Sequence, residues 1–200
     1  MRAGTVDEVK RESGEWVFVD LGFARQKPSC GFLHGDGAAE AVTFATACER
    51  VAREASKVAG PLNLLLEAPL SVAFTKDGNP TGRSIEKRDG KTRYWHVGLG
   101  CAVLVAATYL VRAVASVGNK RELRLFEGFV SFKQRGDRSC HTDDVMCLRD
   151  VVWQPERFPG AITAPGKLAL TSSDIVSSAF AVAGLDVGVP PVLTAAVRQA

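Results

Sequence analysis

Three acids of this chain stand inside apolar runs where a charge is out of place: Asp20 in Trp16–Ala24, Glu67 in Leu62–Leu70, and Glu127 between Phe126 and Phe129. A carboxylate on a strand covered on both faces loses hydration worth on the order of several kcal/mol unless something compensates it. Asp20 and Glu67 therefore call for a cation, and one ion serves both if their strands are neighbours. The plainer reading has each acid capping a strand end or pairing with an arginine such as Arg25. Glu127 either joins the same group or closes a salt bridge with a nearby basic residue, and Gly128 beside it marks a bulge or the close approach of a ligand.

A fourth signal lies at His141 and Asp144. A three-residue step puts both on one helical face, continued by Leu148 and Val151 toward a sheet. Asp143 lines up instead with Cys147 and Asp150, so Asp144 is the preferred ligand and Asp143 the near alternative. Helix capping, with His141 as an ordinary surface residue, explains the pair equally simply. Asp174, among Ser172, Ser173, Ser177 and Ser178, reads as a cap rather than a ligand.

Oxygen donors with a single imidazole suit Mg2+ or Mn2+ better than a structural zinc ion. Two such ions about 4 Å apart can activate water and stabilise the leaving oxygen of an in-line phosphoryl displacement. Phosphate contacts would come from the basic stretch Lys76–Arg93, chiefly Arg83, Arg88 and Arg93, and from Lys133, Arg135 and Arg138 on a later turn. Tyr94 and Trp95 either stack on bases or serve as helix-entry residues. A solvated, mobile loop accounts for the basic stretch as well.

These residues need elements to hold them. Near-unbroken apolar runs at Glu15–Ala24 and Leu62–Leu70 are written like central strands buried on both faces. Ser29–His34 reads as a return strand. The Ala-rich stretch 38–58, with Val42, Ala45, Cys48 and Ala52 on one face, reads as a helix closed by Gly60-Pro61. A hydrophobic helix follows from Tyr94 to Val117, then a strand over Glu122–Phe132, a helix over His141–Trp153, a Pro/Gly-rich connection, and a last helix from Ser172 or Ser173 to Gly184. The order is that of an α/β mixed sheet flanked by helices, whose ligands collect beyond the carboxyl ends of the central strands.

Composition sets the outer bounds. With 200 residues, 46% of them hydrophobic, one domain suffices, its core over about 15–153 and an extension over 154–200. A balance of 25 basic against 22 acidic residues does not by itself announce a nucleic-acid partner. Five cysteines without CxxC spacing suggest neither a disulfide framework nor a zinc knuckle, and fit reduced thiols in the cytoplasm. The opening stretch lacks the apolar centre of a signal peptide. The apolar segment 97–111 rises only ~22 Å as a helix against ~30 Å of hydrocarbon, so it reads as buried and no membrane is expected; its face could also meet a second copy in a homodimer.

Taken in order, Val19-Asp-Leu-Gly22, Leu66-Glu-Ala-Pro-Leu70, Phe126-Glu-Gly-Phe-Val-Ser-Phe132 and His141-x-x-Asp144 resemble the ribonuclease H-like superfamily, and within it a branch predicted to be nucleases. The last pair also looks like the closing helix of RuvC-type Holliday-junction resolvases. The resemblance spans about 15–153. It implies a five-stranded mixed sheet, divalent ions on Asp20, Glu67 and Asp144, with His141 and Glu127 as further members, and a nuclease acting on DNA or RNA. The room before the first helix fits one return strand, where the superfamily has two, and the segment after Gly160 has no counterpart. Two rivals stand beside this reading: an inactive nucleic-acid-binding module of the same fold, and an actin-like nucleotide phosphotransferase, since Asp20-Leu-Gly22 also resembles a phosphate loop. Length disfavours the latter.

Overall fold

A computed structural model of the chain describes residues 1–22, 28–88, 90–92, 99–118, 120–130 and 140–195. Its centre is a sheet of mixed direction. In chain order the main strands are β1 (Glu15–Asp20), β2 (Cys30–His34), β3 (Glu40–Val42), β4 (Leu62–Glu67), β5 (Ser71–Phe74), β6 (Leu123–Val130), β7 (Ile162–Thr163), β8 (Ile175–Ser178) and β9 (Val192–Ala195). The helices are α1 (Phe44–Ala55), α2 (Leu99–Ser116) and α3 (His141–Trp153).

The large sheet runs β7-β9-β6-β4-β1-β2-β3, with the two-residue strand Arg2–Ala3 also on β6. Parallel pairing joins β1 to β4 and β4 to β6, whereas β2 lies antiparallel between β1 and β3. This α/β arrangement is consistent with the ribonuclease H-like one expected from the sequence. Successive side chains of a strand face opposite sides, so β1 splits its residues between two cores. Val17 and Val19 pack with Val51 and Ala55 of α1 and with Leu110 and Val114 of α2. Trp16 and Phe18 join Val145, Leu148 and Val152 of α3 on the other face.

Three expectations are corrected. The stretch expected to be wholly helical begins with β3, because the Thr43 hydroxyl accepts from the Thr46 amide (3.2 Å) and starts α1 only at Phe44. The missing second return strand is thus present. The buried stripe of α1 is Ala47, Val51, Glu54 and Ala55 rather than the one read from the sequence, since alanines all round the helix blur its period. Ile175–Ser178 is a strand, not part of a helix: it pairs antiparallel with β5, and this partner outweighs local capping signals.

The tail also gains a place, as β9 extends the sheet parallel to β6 and β7 covers the edge of β9. Gly128 marks no bulge, for the β4–β6 ladder reaches it in register and the β6–β9 ladder runs through it unbroken. A Cβ there would stand 2.8 Å from both Leu148 and Leu65, so its smallness lets α3 sit close on the sheet. No helix among the described residues is long and apolar enough to cross a membrane.

Candidate metal centre at the strand ends

The register that builds the sheet also places the acids. Asp20 closes β1 and Glu67 closes β4, and the two are direct partners across the parallel pair. Their next neighbour on β6 is Gly128. All three therefore face the α3 side. The first turn of that helix supplies His141, whose Nδ1 lies 2.6 Å from Asp20 Oδ2, and Asp144, which is 5% exposed. Asp20 and Glu67 are buried as well, at 2% and 7% exposed.

Two glycines make room for this approach. A Cβ on Gly31 would collide with the backbone carbonyl of His141, and one on Gly22 would collide with its imidazole. No local pattern hints at this role for either residue. Asp143 is placed otherwise than Asp144: its Oδ2 accepts from the Cys140 amide at 3.2 Å, which caps the helix.

The acids act on one another electrostatically. Burial pushes the Glu67 carboxyl well above the ordinary glutamate range, and Asp20, which shares a hydrogen bond with it, and Asp144 push it further. Against this stands the Val130 amide, donating to Glu67 Oε1 at 3.2 Å. Among the described residues no arginine or lysine is ion-paired with Asp20 or Glu67; the cation-capable partner of Asp20 is His141. No family model, no curated protein and no solved structure matches the chain. The site must be read from its own residues.

Glu127 does not join this group. It alternates with Gly128 and so faces the opposite side of the sheet, fully buried, where Arg83 Nη1 pairs with it at 2.8 Å and the Leu70 amide donates to it at 2.9 Å. Burial raises its carboxyl, and the Arg83 charge opposes that rise. This overturns the expected role of Arg83 on phosphate: the residue is fully buried, bonded to Ser71 Oγ (2.6 Å) and paired with the buried Glu86. A guanidinium inside the fold stays where carboxylates satisfy it. Of the other expected phosphate contacts, Arg93 and Lys133 lie outside the described residues, as do Tyr94, Trp95, Arg135 and Arg138. Arg88 belongs to a two-residue strand paired with Lys91–Thr92, but its side chain is likewise outside what is described.

Asp174 accepts from the Thr171 amide (3.0 Å) in the turn before β8, a cap of a turn rather than of a helix. A different set of donors has no signature in the sequence. Atoms of Glu15, His34 and Glu54 lie within 4.8 Å of one another, and this group could hold a metal ion. No spacing rule reaches it, because its members come from three elements.

Proposed function

We propose that the chain is a divalent-metal-dependent phosphodiesterase acting on DNA or RNA in the cytoplasm, with Asp20, Glu67 and Asp144 as the acids that hold Mg2+ or Mn2+. The observation that carries this reading is the meeting of three buried acids, in which Glu67 is pushed up by burial and by the other two. Such a group gains from a dication what it loses by burial, and its hard oxygen donors suit magnesium or manganese. The ions, when bound, would polarise the phosphodiester and activate water.

The chain's own side chains do the rest. Asp20 fixes the imidazole of His141 through Nδ1, and the side chain of His141, 43% exposed, is the one member of the group that reaches toward solvent. It stands where a proton can be passed between the buried acids and water. Gly22 and Gly31 set its position. The five cysteines are free, in keeping with a reducing compartment.

The test is an assay of purified protein with magnesium or manganese on single-stranded, duplex, hybrid and branched substrates. Metal-dependent cleavage is expected, and cleavage that survives Asp20→Asn ends the proposal.

A further inference from the structure

At the other end of β1, on the opposite face of the sheet, a second group of donors meets. Glu15 opens β1, His34 closes β2, and Glu54 lies in the last turn of α1. Alternation along the strands puts Glu15 with Val17 and His34 with Phe32, on the face that packs against Val51 and Ala55. His34 Nε2 stands 2.5 Å from Glu15 Oε1.

Glu54 is the unusual member. It is only 4% exposed, and its Oε2 accepts no hydrogen bond. Lys57 approaches that oxygen closely as an ion pair without hydrogen-bond alignment, and Arg53 stays 3.7 Å from Oε1. Both cations are long side chains, 49% and 69% exposed, with room to swing into water when a metal takes the oxygens of Glu54. Glu15, by contrast, is aimed. Arg121 donates to its Oε2 at 2.6 Å and is itself fixed on the carbonyls of Gly60 and Pro61, which leaves Oε1 directed at His34. Outer partners of this kind orient a ligating carboxylate.

We propose that Glu15, His34 and Glu54 form a second metal site, separate from the strand-end acids, for a borderline transition-metal dication of the zinc class. With one nitrogen among three donors this set is softer than the strand-end group of three acids and one imidazole, and so leans toward such an ion, whereas magnesium and calcium prefer oxygen alone. With one donor from each of three elements, the ion ties β1, β2 and α1 together and stabilises the native state. Glu15 and His34, 32% and 35% exposed, leave it a way in. Coordination needs the Nε2 lone pair, so a proton held there in the contact with Glu15 moves to Nδ1 in a neutral ring and leaves to buffer only from a protonated one.

Metal-free protein titrated with zinc chloride alone, followed by thermal denaturation and by calorimetry in two buffers of different ionisation enthalpy, tests the site. Zinc is expected to raise the melting temperature of the wild type and of Asp20→Asn alike, and to have no effect on His34→Ala in the Asp20→Asn background. Should His34→Ala melt too low to compare, Glu54→Gln keeps the shape and is expected to lose the zinc response. Absence of a zinc shift in the wild type overturns the site, and so does a shift that survives both variants. A shift lost in Asp20→Asn but kept in His34→Ala assigns the ion to the strand ends and overturns it too. Cobalt in place of zinc should give ligand-field bands without a thiolate charge-transfer band; that band would assign the metal to cysteine.

Discussion

Glu67 and Glu127 stand on neighbouring strands, with Glu127 opposite Leu66, one residue before Glu67, and both are buried. Their surroundings differ completely. Glu127 meets Arg83, a guanidinium with no exposure, together with the Leu70 amide and the Ser71 hydroxyl at 3.5 Å. Glu67 meets two more acids. The first arrangement is a finished joint, fastening the segment around β5 to the main sheet, and the fold supplies all of its counter-charge. The second brings a raised carboxyl together with two more acids, with the His141 imidazole on Asp20, the arrangement that the proposed cation would suit. Burial alone does not separate a structural acid from a functional one; the sign of its neighbour does.

The two glutamates should part most widely in activity. Asp20→Asn is expected to lower metal-dependent cleavage by about 10³-fold or more, the worth of several kcal/mol of transition-state stabilisation; a loss below tenfold would put the acids outside the chemistry. Next in size, Arg83→Ala should destabilise the protein by about 3–5 kcal/mol in urea, because Glu127 and Glu86 are left buried without their partner. Asp20→Asn and Glu67→Gln should show no such loss when metal is absent. An Arg83→Ala protein as stable as the wild type would erase the distinction between the two glutamates.

Smaller effects refine the contrast. Gly31→Ala should displace the first turn of α3 and lower activity along with roughly 1–3 kcal/mol of stability, the usual cost of forcing a methyl into a packed contact. Last comes pH. The Glu67 carboxyl is raised in the folded state, so folded protein holds a proton that the unfolded chain gives up in the ordinary glutamate range. Metal-free stability should therefore fall as pH rises through and above that range, and Glu67→Gln should flatten the fall. A chemical-denaturation series across pH checks the slope; a steeper fall in the variant would contradict the assignment.

Much of the central sheet is legible in the residues themselves. The runs around Asp20 and Glu67 declare buried strands through unbroken hydrophobicity, and α3 follows the His141–Trp153 span because its stripe is regular. That these two strands are neighbours, with Asp20 opposite Glu67, is left open by the runs and given by the sheet. What escapes depends on partners distant in sequence. Nothing local tells that Arg83 reaches Glu127 across 44 residues, or that Ile175–Ser178 finds β5 instead of coiling after its serines. The β3 strand hides for another reason: three residues, two of them exposed, carry too little pattern to stand out before an alanine-rich helix. Glu54 escapes with the blurred stripe of α1, and with it the second group of donors.

The functional reading rests on one cation shared by Asp20, Glu67 and Asp144. A crystal of the wild-type protein soaked in manganese, measured for anomalous scattering, decides whether that ion is there. A peak bounded by these three carboxylates, and absent from Asp20→Asn crystals, is expected; a soaked wild-type crystal with no density between Asp20 and Glu67 would contradict it.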